Sequence, residues 1–369
     1  MRPAFTTFAQ ARAELGRWLR EDALPLWATA GWDETFGGFH EALSLAGPVA
    51  GPRRSRVQTR QVWVYATAAG AGLGEPYGAL AERAWETYRR LYRRADGLYA
   101  FSAWPSGEPA ETKAALYEQA FSLLALSALH RLRPENSYRE EAGALLAAME
   151  ALRHPAGGWR EVGGQPFQAN AHMHLLEAAL AWEAVGDDAW SALSDEVAGL
   201  AIRRFVDPRS GALREFFDAD WRPLGETGGQ VIEPGHQFEW ATLLDVWARL
   251  RGRAGEEEAR RLHQAGLRGV DPKTGVAANS LGPDLRVRDP GARLWAQSEH
   301  LRAAHRFGDE AQAVRAANGL RTFLGGVRSG AWRDKLGHDG EFVEEPAPAT
   351  SLYHLVSAIL PLESGRLPA

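Results

Sequence analysis

The chain has 369 residues, 45% apolar and 24% charged, with a formal net charge of −5 and both signs interspersed. Such a composition supports a sizeable globular core; it leaves no basic stripe for nucleic acid, and no apolar run reaches the roughly 20 residues of a membrane span. Cysteine is absent, which excludes disulfides and thiol chemistry, and 14 Trp residues point to a large core or to a pocket floored with aromatic rings.

In chain order, Ala, Leu, Arg and Glu recur at a period near 3.6 between caps and breakers. The first predicted helix, 6–28, carries charges throughout and lacks the apolar centre of a secretory leader, so the expected compartment is cytoplasmic. Further helices are predicted at 56–71, 76–94, 112–132, 136–152, 168–185, 188–205, 235–251, 255–269, 290–306, 309–325 and 350–362. Alternate members differ in kind. Those at 76–94 and 255–269 are rich in charge and should face water, whereas 112–132, 168–185, 235–251 and 350–362 are apolar and should be covered.

Short Gly-led segments separate the helix pairs: TFGGFHEAL, ADGLYAFSAW, AGGWREVGG, SGALREFFDADW, KTGVAANSLGPD and SGAWRDKLGHDGEF. Their glycines, from Gly38 to Gly330, recur about every 58 residues, and each segment reads as a turn between two short strands. Six units, each with a covered inner helix and a wet outer one, predict an all-α chain. The expected architecture is a closed (α/α)6 toroid of six helical hairpins, with short β-hairpin loops at one rim, forming a single catalytic domain over 1–369. An open solenoid is the alternative, but it needs atypical capping repeats.

The inner helices begin with polar residues that do not suit burial. SRVQTRQVWVYATA contains Arg56, Gln58 and Arg60; ETKAALYEQAFSLLAL contains Lys113, Tyr117, Glu118 and Gln119; FQANAHMHLLEAALAW contains Asn170, His172, His174 and Glu177. IEPGHQFEWATLLDVW contains His236 and Glu239, RLWAQSEHLRAAHR contains Trp295, Gln297, Glu299 and His300, and PATSLYHLVSAIL contains Tyr353 and His354. All follow a long loop, so parallel inner helices bring them to one rim, where helix N-termini add a field suited to oxygen-rich ligands. The ligand expected there is polar, neutral or anionic, and sized for a sugar ring over Trp and Tyr faces.

Each residue also has a structural alternative. His236 can cap its helix or bond Glu239 on the same face. His174 shares a face with Glu177, whereas His172 points about 200° away and is assigned to packing. His130, His154, His263, His300 and His305 lie among charges or on outer helices and read as solvated; Glu118 and Lys113 can form a plain salt bridge. There is no His-Glu-x-x-His, EF-hand loop, phosphate loop, dinucleotide fingerprint or Gly-x-Ser-x-Gly elbow, so no metal and no cofactor are expected.

KAALYEQAFSLLAL, NAHMHLLEAALAW, PGHQFEWATLL, RLWAQSEHLRAA and SLYHL, in this order and spacing, resemble the N-acylglucosamine 2-epimerase superfamily over about residues 10 to 362. Gly-His-x-x-Glu-Trp, with Asn-x-x-Met-His-x-x-Glu upstream and Tyr-His near the C-terminus, is more similar to its mannose and sulfoquinovose isomerases than to its cellobiose 2-epimerases, which usually carry Gly-His-Asp-Ile-Glu. The resemblance implies the six-hairpin toroid and a cofactor-independent aldose–ketose isomerase acting through a cis-enediol. D-mannose and D-fructose are the expected pair, or a related aldose such as D-lyxose. It further implies that His236 and His354 are the acid–base pair; we assign movement of the proton between C2 and C1 to His354 and ring opening or handling of the enediolate to His236. Glu239 is expected to orient or polarise His236. Arg60, Tyr117, Asn170 and His174 should grip hydroxyls or the enediolate oxygen, with Glu177, Trp295 and Glu299 completing the floor.

Three other readings stand beside this one. The first is a mannose–glucose or cellobiose 2-epimerase on the same scaffold. The second is an inverting glycosidase using two of Glu177, Glu239 and Glu299. The third is a sugar-binding protein without catalysis. The expected partner is a free monosaccharide, the expected assembly a monomer or homodimer, and Arg56, Arg60 and Lys113 are too scattered for a phosphate clamp.

Overall fold

Helical periodicity carries through into three dimensions. The computed structural model describes residues 4–225 and 231–364, and these are mostly helical. Helix α1 (Phe8–Trp18) runs through a π-type turn (Leu19–Ala23) into α2 (Leu24–Thr29). Then follow α3 (Ser55–Gly70), α4 (Glu75–Tyr92), α5 (Leu116–Leu132), α6 (Tyr138–Met149), α7 (Ala169–Glu183) and α8 (Ser191–Leu200). The last five are α9 (Pro234–Leu250), α10 (Glu256–Leu267), α11 (Leu294–Arg306), α12 (Glu310–Leu324) and α13 (Ser351–Ser364). Local chemistry sets several starts. Thr7 accepts from the Gln10 amide, Asp309 accepts from the Gln312 amide, and Pro234 opens α9 where its missing N–H is no loss. Among the described residues, no helix is long and apolar enough to cross a membrane.

The chain packs as two compact units. One comprises residues 27–200 and 348–353, the other residues up to 26, 201–347 and 354 onward. In the first, α3, α5 and α7 lie side by side, each backed by its own partner α4, α6 or α8. In the second, α9 and α11 lie side by side, backed by α10 and α12, and α1 packs on α12. The final helix starts in one unit and continues in the other, with the change between Tyr353 and His354. Inner and outer helices differ as their sequences predict. Residues 234 to 248 of α9 are buried all round, whereas α10 exposes Glu257 and Arg260 and leaves Glu256, Glu258 and Arg261 half-buried.

The Gly-led segments do hold turns, with Gly97, Gly158, Gly211 and Gly275 all in the left-handed backbone region. They close with single bridges rather than paired strands: Trp32 with Phe39, Arg93 with Tyr99, Arg153 with Trp159, Val206 with Leu213, and Val270 with Ala277. The short antiparallel strands lie just downstream, as in 102–103 against 109–111 and 280–281 against 287–289.

What locks each turn to the next inner helix is the fourth residue of that helix. The Gln58 amide accepts from Phe39 N–H at 2.8 Å and donates to Phe39 C=O at 2.9 Å. Gln119 does the same to Tyr99, Gln237 to Leu213 and Gln297 to Ala277, at 2.7–3.2 Å. In α7 the position is His172, whose Nε2 accepts from Trp159 N–H at 3.0 Å. An amide suits this place because it offers one donor and one acceptor, matching the two backbone groups a turn leaves unpaired. Gln119→Leu is therefore expected to destabilise the protein by about 2–4 kcal/mol, since two buried backbone groups lose their partner. Urea denaturation measures this.

The abundant Trp serves mainly the core. Trp27, Trp85, Trp159, Trp182, Trp240 and Trp332 are fully buried. Trp182 shows how: its Nε1 donates to Leu123 C=O at 3.1 Å and its ring stacks on Trp190 with centroids 5.3 Å apart. Burying one such ring contributes about 3 kcal/mol or more.

Candidate active site

The repeat puts chemistry at one level of the inner helices. The sixth residue is Arg60 in α3, His174 in α7, Glu239 in α9 and Glu299 in α11, and each is buried. Two clusters follow, one in each unit.

In the first unit, Arg60 donates to the Tyr117 hydroxyl at 2.6 Å and lies over the Phe121 ring at 4.2 Å. His174 Nδ1 meets Glu177 Oε2 at 3.1 Å, and the Tyr353 hydroxyl donates to the same oxygen. The His174 ring packs edge-on against Tyr117 at 4.9 Å and on Phe121 at 4.3 Å, which fixes its plane. The Asn170 side-chain oxygen is buried with no hydrogen-bond partner among the described residues, an acceptor suited to a ligand hydroxyl. Arg60, Tyr117, Asn170, His174 and Glu177 thus belong to one unit, and the cluster gains Tyr353.

In the second unit, two histidines flank one indole. Trp295 lies 4.9 Å from the His236 ring and 5.7 Å from the His354 ring, centroid to centroid. Gly235 is required here because a Cβ would collide with the Trp295 ring. His354 Nδ1 meets Glu299 Oε1 at 2.7 Å, and His236 Nδ1 meets Glu215 Oε2 at 3.0 Å with Glu233 at 3.7 Å. Both histidines are almost fully buried, and each has a carboxylate on Nδ1. Burial opposes charge on His236, but Glu215, then Glu233, together with the hydrogen bond and Glu239, raise it to about 10. These carboxylates favour its imidazolium form.

The hydrogen bond to His236 Nδ1 comes from Glu215, while the expected Glu239 adds to its charge. Glu239 instead lies with Glu299 and His354, their ligand atoms within 4.8 Å of one another. That group could hold a metal ion, but its spacing is also that of a hydrogen-bonded cluster. Glu239 and Glu299 are too close for the pair of carboxylates an inverting glycosidase uses, which needs about 6.5–9.5 Å.

Other polar residues read from the sequence are structural. Gln58, Gln119 and Gln297 clamp turns, and His172 packs as expected. Glu118 pairs with Arg56 at 2.6 Å rather than with Lys113, which pairs with Glu111 at 2.8 Å. The start of α5 is already occupied, since Glu161 accepts from the Leu116 and Tyr117 amides at 2.9 Å. His130, His263 and His300 are buried, not solvated. His300 stacks on Phe238 at 4.8 Å and His263 on Phe307 at 4.6 Å, and burial lowers them to about 3 and about 4. His154 and His305 are half-buried.

Glu215 was not singled out by motif, yet a signal existed. Phe39-His40-Glu41, Trp159-Arg160-Glu161 and Leu213-Arg214-Glu215 share one register, with Glu two residues after the clamped position.

Comparison with known proteins gives the family. The family model for N-acylglucosamine 2-epimerase matches residues 37–358. The chain belongs to that family. A relative named mannose-6-phosphate isomerase, from Rhizobium meliloti (strain 1021), is 44% identical over 95% of this chain and 96% of its own. Among solved structures, a D-mannose isomerase superposes with TM-score 0.85 at 20% identity, covering 99% of this chain and 100% of that one. The cellobiose 2-epimerase of Spirochaeta thermophila superposes with TM-score 0.83 at 21% identity, over 97% and 98%. The protein is thus an enzyme of the sugar isomerase and epimerase family, with the helical fold of those structures.

Proposed function

We propose that this enzyme is an aldose–ketose isomerase interconverting D-mannose and D-fructose, working as one catalytic domain closed into a six-hairpin toroid. The observation that carries this reading is the pair His236 and His354 on one Trp295 face, each with a carboxylate on Nδ1. Isomerisation needs one group that takes a proton from carbon and another that manages charge on the carbonyl oxygen.

After the ring opens, His354 Nε2 takes the C2 proton while the His236 imidazolium gives its proton to O1, forming a cis-enediol. His354 then delivers its proton to C1, and His236 recovers one from the O2 hydroxyl, which leaves the ketose and both histidines as they began. Arg60, Tyr117, Asn170 and His174 hold hydroxyls, and Trp295 lies under the sugar face. Return of the proton to the opposite face of C2 gives the epimer instead.

A second reading takes D-mannose 6-phosphate, because the 44% identical relative carries that name. The free sugar is favoured because Arg56 and Lys113 are already paired with Glu118 and Glu111. The test compares kcat/KM for D-mannose, D-lyxose and D-mannose 6-phosphate, with products separated by chromatography. Fructose from mannose at the higher efficiency supports the proposal. Preference for the phosphate moves the assignment to the second reading, and turnover of none of them overturns both.

A further inference from the structure

The fourth Gly-led segment folds arginines onto one another. Arg203 and Arg204 stand on a π-type turn, Ala201–Phe205, and both are exposed. The chain then doubles back. Val206 bridges Leu213, the Asp207 amide donates to Ala212 C=O at 2.9 Å, and the Arg214 amide donates to Phe205 C=O at 2.9 Å. A second turn, closed by a bridge between Phe217 and Pro223, brings Arg222 to the same place. The result is a cavity of about 580 Å³ lined by Arg203, Arg204, Arg209, Arg214 and Arg222, with Asp207 as the one carboxylate among the described residues of its wall. That volume suits a small molecule.

Charge in this wall is not balanced locally, although the whole chain has more acidic than basic side chains, 47 against 42. Asp207 is taken by Arg214 at 2.9 Å, and Arg222 pairs with Asp220 at 2.8 Å. Arg209 meets Asp207 only at 3.9 Å, beyond hydrogen-bond reach. Among the described residues, Arg203 and Arg204 have no carboxylate partner. Guanidinium groups cannot shed their charge, so such a set repels itself until an anion enters. The wall is also held in place. Trp221 has φ 58°, a costly backbone for a bulky residue, and its ring lies 5.4 Å from that of Phe205. Asp218 fixes that turn by accepting from the Asp220 and Arg222 amides, each at 2.9 Å.

We propose that this cavity binds a small phosphate-bearing anion, at a place separate from the residues assigned to the sugar. Two neighbouring side chains divide the functions: Arg214 lines the cavity and binds Asp207, whereas Glu215 bonds His236 Nδ1. Phosphate is favoured over a carboxylate because it offers three oxygens and a double charge to several guanidinium forks.

The test is isothermal titration calorimetry of the full chain with inorganic pyrophosphate at fixed ionic strength. Saturable binding at one site is expected, weakened about tenfold or more in Arg203→Gln/Arg204→Gln. Pyrophosphate should also raise the melting temperature of the native protein and leave that of the variant unchanged. Both arginines are exposed, so without ligand the two proteins should melt alike. Should the double variant melt early, Arg209→Gln reads the same loss of binding. Absence of binding at millimolar pyrophosphate, or binding that these variants retain in full, overturns the site. Citrate bound as tightly as pyrophosphate overturns the assignment to phosphate.

Discussion

His354→Gln is expected to lower kcat for mannose isomerisation by about 10²–10⁴-fold, the range lost with a positioned acid–base group. Gln keeps a donor that can reach Glu299, so the buried carboxylate is not abandoned, and the variant should retain the helical circular-dichroism spectrum. What it removes is a group that can take a proton from carbon. KM should change by much less than kcat, because the residues proposed to hold the hydroxyls sit on other helices, and such a split marks an interaction used in the transition state. Normal turnover in this variant removes His354 from the mechanism.

Glu215→Gln should act through His236 and leave a pH signature. The His236 midpoint is raised to about 10 from an ordinary value near 6.5, against the effect of burial. A histidine raised on folding adds stability that is full below about pH 6.5 and is lost as pH rises through about 10. The native enzyme should therefore lose stability on alkaline titration over that window, and Glu215→Gln should flatten the loss. At pH 7 the variant is expected to be less stable by about 3 kcal/mol, the scale for breaking a buried ion pair. The alkaline limb of kcat should move down toward neutrality, because the imidazolium proposed to give its proton to O1 would then be present only at lower pH. Denaturant melts and rate profiles between pH 6 and 10 read both effects. An alkaline limb that stays in place shows that His236 is not the acid.

Much of this fold is legible in the sequence because two periods coincide. The 3.6-residue rhythm marks each helix, and the Gly-led turns near every 58 residues mark each hairpin. Helix α9 begins at Pro234, one residue before its expected start, and α13 at Ser351, one residue after. The strands were less legible because a turn closed by one bridge carries no alternation to detect.

The site divides in the same way. His236, His354 and Glu299 stand out as polar residues on apolar helices, but a helix face does not reveal which side chain bonds which. His300 shows the difficulty: it lies among Glu299, Arg302 and His305 in sequence, yet its ring turns onto Phe238. Glu215 escaped because it lies in a connecting segment, where no helical period marks it, and its partner stands 21 residues further along. Only the shared register of Glu41, Glu161 and Glu215 betrays it.

The most direct test of the central claim is NMR of D-mannose incubated with the enzyme in heavy water. Fructose appearing first, its C1 carrying either the proton transferred from C2 or deuterium exchanged onto His354, with no deuterated glucose, is the expected result and places proton return at C1. Glucose appearing first with deuterium at C2, or mannose left unchanged and unlabelled, contradicts it.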